Sequence, residues 1–213
     1  MILGVDIDNV IVNTTESVIE YLNERVPNLN FKLEDCKQYW LEKNLPRGYE
    51  LLVQEAFESK HMWKKVEVIK GAKKYINKLR AEGHEIYFVT SSLPENLRKK
   101  IKHLERELDF FEPGYVWRHT INIHKKQLLD LDVLIDDCID NLNGGRKYTS
   151  ICIDYPWNRN VTDRSIIHCD SWKEIYNEVK AIEEGEYIEE LFELKKDYLQ
   201  IHRITGMAVT RVK

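Results

Sequence analysis

Four short apolar runs rich in β-branched residues, each passing into acidic or hydroxyl side chains, constrain this chain more than any other feature. They are Ile2–Ile7, Glu85–Thr90 (EIYFVT), Asp132–Ile135 (DVLI) and Ser150–Asp154 (SICID). Continuous apolar runs of this length suit strands buried on both faces of a parallel sheet. Tyr115–Trp117 is a weaker fifth candidate. Helical patterns lie between the runs. Ala72, Tyr75, Ile76 and Leu79 share one face of a helix predicted over 71–81 and stopped by Gly83. Ser92–Glu95 and Ser171–Glu174 both read S-x-x-E, the capping box that opens a helix. Strand–helix alternation on this scale predicts an α/β fold, a parallel sheet covered by helices on both faces.

One stretch breaks the rhythm. From about Thr15 to Ile69 the chain is rich in aromatic and charged residues (Tyr21, Tyr39, Trp40, Tyr49, Phe57 and Trp63 among them) but holds no strand-like run. Ser17–Arg25 and Tyr49–Lys60 read as helices, with Pro27, Pro46 and Gly48 as punctuation. The prediction is a small helical cap, 15–69, inserted after the first strand of a core formed by 1–14 and 70–213. Residues 185–213 read as a helical extension whose apolar side carries Ile188, Leu191, Phe192, Tyr198 and Leu199. That side could pack on the core or on a second subunit of a homodimer.

Charge and cysteine usage narrow the class further. A formal net charge of −4 over 213 residues gives no overall basic field for a nucleic-acid polymer. The basic segment Arg98–His103 is spread by helical spacing around what reads as a solvated face. No apolar run approaches the ~20 residues that span a bilayer. Asp6 and Asp8 interrupt the first apolar stretch, which lacks the basic start of a signal peptide. The four cysteines form no CxxC pair and read as reduced apolar fillers, so the expected location is the cytoplasm. The seven histidines form no ligand-spaced pair.

Chemistry-bearing residues collect at the carboxyl ends of the predicted strands, where open α/β sheets place their ligands. Asp6 and Asp8 follow the first run, Thr90 and Ser91 the second, and Asp136 and Asp137 close the DVLIDD run, with Lys125 and Lys126 just upstream. Desolvated carboxylates converging on one crevice repel unless a cation joins them. Oxygen ligands of this kind predict a Mg²⁺ site.

At these residues the sequence resembles the haloacid dehalogenase (HAD) superfamily of phosphotransferases. GVDIDNV, FVTSS, the Lys126 position and LIDD look like its four ordered motifs, across residues 2 to about 180. LIDD ten residues after Lys126, and DSWKEIY after the last strand, are similar to the 5′(3′)-deoxyribonucleotidase branch. The resemblance implies a HAD-like Rossmannoid three-layer α/β/α core and an aspartyl-phosphate mechanism. Asp6 would be the nucleophile and Asp8 the acid, then the base. Thr90 and Ser91 would bind the phosphoryl group, and Lys126 would neutralise it. Mg²⁺ would be held by Asp6, the Asp8 carbonyl and the Asp136/Asp137 pair, with Asp137 as the direct ligand. The ten-residue spacing favours Lys126 over Lys125. Asp140 and Asn141 either hold a metal-bound water or cap the next helix. Asp8 points to ester hydrolysis, since halide would leave without a proton.

The substrate implied is a small phosphate ester, foremost a nucleoside monophosphate. Aromatic faces stack on bases at about 1–3 kcal/mol each. Trp63, just before the 71–81 helix, is the first candidate for that contact, ahead of Trp40 and Tyr49. Asn9, where relatives often carry Gly, follows the catalytic loop as a further substrate contact. A sugar phosphatase and a catalytically quiet binding domain are the alternatives.

Overall fold

The computed structural model describes residues 1–110, 112–143 and 147–185. The helical extension expected over 185–213 lies outside the described residues apart from Gly185. Among the described residues, six parallel strands form one sheet: β1 (Ile2–Asp6), β2 (Glu85–Thr90), β3 (Thr120–Asn122), β4 (Val133–Asp136), β5 (Thr149–Ile153) and β6 (Ile166–Cys169). Their spatial order is β3-β2-β1-β4-β5-β6. In β1 the four residues after Ile2 are buried in succession, and all of β4 is buried. Burial of consecutive side chains, which point to opposite faces, requires cover on both sides of the sheet.

Eight α-helices accompany the sheet among the described residues: α1 (Thr14–Arg25), α2 (Glu50–Glu58), α3 (Lys60–Lys65), α4 (Ala72–Ala81), α5 (Pro94–Leu108), α6 (Tyr115–Arg118), α7 (Ile139–Asn143) and α8 (Trp172–Glu184). Helix α4 ends as its sequence predicts. Gly83, at φ +92°, takes the left-handed turn that leaves its own amide on the Arg80 carbonyl and the His84 amide on the Leu79 carbonyl. The chain divides into a compact unit, Met1–Tyr176, and a second, Asn177–Lys213. No described helix is long and apolar enough to cross a membrane.

Several local expectations give way to packing. Tyr115–Trp117 is helical, because Gly114 enters at φ +75° and its carbonyl accepts the Arg118 amide. The neighbouring strand is Thr120–Asn122 instead, and β6 had no sequence signal strong enough to announce it. The predicted helix 49–60 breaks at Ser59, whose Oγ accepts the His61 and Met62 amides and caps α3. Ser92 caps nothing, since α5 starts at Pro94 after Leu93. At α8, Ser171 Oγ accepts the Glu174 amide at 3.4 Å while the Glu174 carboxylate accepts the Asp170 amide at 2.9 Å.

Residues 14–65 hold α1, two short 3₁₀ turns, α2 and α3, and no strand. The segment leaves and rejoins the sheet at one neck. The Asn13 amide donates to the Glu67 carbonyl at 3.0 Å, the Ile69 amide to the Ile11 carbonyl at 2.8 Å, and the Glu67 amide to Asn13 Oδ1 at 2.7 Å.

Candidate active site

The strand order reverses direction at β1 and β4, which lie side by side. A crevice forms outside the carboxyl ends of strands at such a switch point. Asp6 ends β1 and Asp136 ends β4, so topology alone brings them to the same place. After Asp6 the chain turns tightly: the Ile11 and Val12 amides both donate to the Ile7 carbonyl, and Asn9 stands at φ +56°. Trp172, fully buried at the start of α8, braces this loop by donating its indole N–H to the Val10 carbonyl at 2.7 Å. Burial of an indole on this scale is worth about 3–5 kcal/mol against truncation to alanine.

Asp6, Asp136 and Asp137 are buried and present ligand atoms within 4.8 Å of one another. Lys126, 2% exposed, lies between two of them, with Nζ 2.5 Å from Asp6 Oδ1 and 2.7 Å from Asp136 Oδ2. Burial alone would lower the Lys126 pKa, but the charges of Asp136 and Asp6 raise it above the ordinary lysine value. Lys125 is exposed, so the structure brings Lys126 to the cluster. Asp136 is fully engaged. Its Oδ1 accepts the Cys138 amide, and its Oδ2 accepts Asn141 Nδ2 as well as Lys126. Asn141 therefore sits inside α7 as a direct partner of Asp136, not as its cap.

Asp137 differs. Its Oδ2 accepts Asn9 Nδ2 at 3.0 Å, while its buried Oδ1 has no hydrogen-bond partner. Burial, with the Asp136 and Asp6 charges added, pushes the Asp137 carboxyl well above the usual carboxylate range. Burial likewise pushes Asp6 up to about 7, against the opposing pull of Lys126. Three buried carboxylates facing one buried ammonium, with one oxygen unpartnered, make an acidic cluster that fits a divalent cation.

On the other side of Asp6, Thr90 is buried at the end of β2 and Ser91 is exposed just beyond it. Lys100, a residue that sequence reasoning assigned to a solvated face, is only 4% exposed. Its ammonium pairs with Asp8 Oδ2 and donates to Ser92 Oγ at 2.5 Å and Thr90 Oγ1 at 3.2 Å. Asp8 Oδ1 accepts the Thr14 hydroxyl at 2.7 Å. Asp8 is thus held by groups that fix its orientation.

A cavity of about 300 Å³ opens beside Asp8, Asn9, Ser91 and Lys100 and is closed by Tyr39, Trp40, Leu41, Val53 and Phe57 from the inserted segment. Trp63 does not line it. That indole is 7% exposed, donates to the Phe57 carbonyl at 2.8 Å and packs near His103, so it belongs to the segment's own core. The aromatic wall is Tyr39, Trp40 and Phe57, with Trp40 51% exposed and edge-on to Tyr39. Burial and the nearby Asp137 and Asp6 charges hold the Tyr39 phenol protonated, well above its ordinary pKa. Asn9 reaches the cavity, but its amide is engaged with Asp137 and the Thr15 N–H.

The sheet also assembles a cluster that spacing along the chain did not show. Cys152, Asp154 and His168 converge on β5 and β6, with His168 Nδ1 2.6 Å from Asp154 Oδ1.

The family model described as 5′ nucleotidase, deoxy (pyrimidine), cytosolic type C protein matches residues 1–183. A Chlorobaculum tepidum protein named "Putative 5′(3′)-deoxyribonucleotidase" is 22% identical over 193 residues, covering 85% of this chain and 91% of that one. Among solved structures, a HAD family hydrolase from Deinococcus radiodurans R1, with bound phosphate and sodium, superposes with TM-score 0.55 at 16% identity, covering 84% and 93% of the two chains. A haloacid dehalogenase-like hydrolase from Streptococcus pneumoniae gives TM-score 0.56 at 14% identity, covering 85% and 97%. The fold is the HAD Rossmannoid fold.

Proposed function

Because the chain belongs to the 5′ nucleotidase, deoxy (pyrimidine), cytosolic type C family and is a phosphoric monoester hydrolase, we propose that it hydrolyses nucleoside monophosphates by way of a phosphoryl group carried on Asp6. The observation that carries this reading is the cavity, whose lining combines Asp8, Ser91 and Lys100 with the aromatic side chains Tyr39, Trp40 and Phe57. The polar and charged lining suits a phosphate, the aromatic lining the flat face of a base. Residues 15–69 act in this reading as a cap that chooses the leaving group.

An Asp6 carboxylate oxygen attacks phosphorus, and the bond from phosphorus to the nucleoside oxygen breaks. Asp8 gives its proton to that departing oxygen. A water molecule then attacks the phosphorylated Asp6 and Asp8 takes the proton back, which releases inorganic phosphate and restores the carboxylate. Lys126 and Lys100 supply fixed positive charge to the phosphoryl oxygens, and Thr90 donates a hydrogen bond to one of them. Asp6, the Asp8 carbonyl and Asp137 would hold Mg²⁺, with Asp136 behind them. The ion supplies charge neutralisation between Asp6 and the incoming phosphate.

Phosphate release from a panel of 5′- and 3′-deoxynucleotides, ribonucleotides and sugar phosphates, with Mg²⁺ and with EDTA, tests the reading. Mg²⁺-dependent turnover concentrated on nucleotides is the expected result. Turnover confined to sugar phosphates would remove the aromatic wall from the account.

The buried carboxylates add a pH signature. The raised Asp6 pKa of about 7, against an ordinary aspartate value of 3.8, means the metal-free native state binds more protons than the unfolded chain between those values. Stability of that state therefore falls as pH rises through the interval. Mg²⁺ binds the ionised carboxylates in competition with protons. The rise in Tm on exchanging EDTA for Mg²⁺ is expected to be larger at pH 7.5 than at pH 5.5, both within or just beyond that window. Taking the difference at each pH cancels groups remote from the site, such as His103, whose pKa burial lowers. An equal rise at both values contradicts the assignment.

A further inference from the structure

Asn9 occupies backbone that favours glycine. Its φ of +56° lies in the left-handed region, where asparagine is among the few tolerated side chains. The main chain is already fixed there by the Asn9 amide donating to the Val12 carbonyl at 2.7 Å. The side chain is therefore not needed to make the turn, yet it is 7% exposed and both ends of its amide are engaged. Oδ1 accepts the Thr15 N–H at 2.9 Å, in the first turn of α1. A backbone N–H can only donate, so the amide oxygen faces Thr15 and the NH₂ faces Asp137, where it donates to Oδ2 at 3.0 Å.

The consequence falls on Asp137. One of its oxygens is clamped by a neutral donor, and the other, Oδ1, is buried without a partner beside the Asp6 cluster. A lysine in the position of Asn9 would neutralise the carboxylate and weaken its hold on a cation. An amide orients it and leaves its charge in place. We propose that Asn9 is a positioning residue: it fixes the rotamer of Asp137 so that Oδ1 is presented to the divalent ion, and through Thr15 it ties that ligand to the first turn of α1. This rests on the reading of Asp137 as an ion ligand. Partners of this kind, one shell removed from a metal, change its affinity by about 10- to 100-fold.

The test is Mn²⁺ binding in the absence of substrate, read from the electron paramagnetic resonance of the free ion. Wild type is compared with Asn9→Gly, Asn9→Ser and Asp137→Asn. Asn9→Gly keeps the turn and loses the amide, and Asn9→Ser keeps a side chain too short to reach Asp137. Both are expected to raise the Mn²⁺ Kd about tenfold or more, with melting in EDTA close to wild type. If wild type binds Mn²⁺, Asp137→Asn does not, and both Asn9 variants bind like wild type, the ion reading stands and the role given to Asn9 is wrong. If wild type takes up no Mn²⁺, both fall. If neither Asn9 variant folds, the residue serves the loop itself and the proposal is overturned.

Discussion

Asp6→Asn is expected to lower the rate of phosphate release by on the order of 10⁴ to 10⁶, the scale on which loss of a nucleophile removes turnover. Asparagine fills nearly the same volume, and Lys126 keeps Asp136 as a partner at 2.7 Å. The wild-type carboxyl is penalised by burial, which pushes its pKa up to about 7. Replacing it with a neutral amide removes that penalty in the metal-free protein. The variant should therefore melt no lower than wild type in EDTA while losing its activity, as rate assays and thermal melts on the same preparation would read. Lost activity accompanied by a large drop in Tm would point to a structural role for Asp6.

Asp8→Asn is expected to discriminate between substrates by their leaving groups. A nucleoside oxygen departs as a strong base and needs a proton, so loss of the acid should cost about 10²- to 10⁴-fold on a nucleoside monophosphate. p-Nitrophenol leaves readily as its anion. With p-nitrophenyl phosphate the first step should survive in this variant and the second, which needs Asp8 as base, should stall. Rapid mixing is then expected to show a burst of p-nitrophenolate close to one equivalent of enzyme, followed by slow turnover. Equal losses on the two substrates and no burst would remove Asp8 from both proton transfers. The pairing of Asp8 Oδ2 with Lys100 and the Thr14 hydroxyl on its Oδ1 hold it in one direction, which suits a group that must meet first the departing nucleoside oxygen and then the attacking water at the same position.

Why the carboxylate cluster could be read from sequence, and Lys100 could not, follows from the kind of information each needs. Asp6, Thr90 and Asp136 are fixed by strand ends, and a parallel sheet carries all its strand ends to one edge. Finding β1, β2 and β4 was enough to bring them together. Lys100 is placed by helix rotation. It lies four residues before Leu104 and next to Ile101, both buried, so the helical period sets its stem on the apolar face of α5. The surrounding charges Arg98, Lys99 and Lys102 masked that spacing.

The aromatic residues show a different limit. Trp63, Tyr39 and Trp40 are equivalent in composition and hydropathy, and only the packing of α2 and α3 decides which ring is consumed by the segment's own core. The Trp63 indole found the Phe57 carbonyl, and Tyr39 and Trp40 were left on the cavity. Strand β6 was missed because Ile166–Cys169 is a short edge strand whose middle residues are only half-buried. Asn9 stood in view as part of the DIDNV motif, but its partner Asp137 lies 128 residues away in sequence, and no spacing rule connects them.

The most direct test is to look for phosphate on Asp6. Asp8→Asn is mixed with p-nitrophenyl phosphate and Mg²⁺, quenched in acid during the burst, digested and weighed by mass spectrometry. A phosphoryl adduct on Asp6, absent when Asp6→Asn is added to the same chain, is the predicted result. An unmodified Asp6, with all the burst phosphate already free in solution, would contradict it.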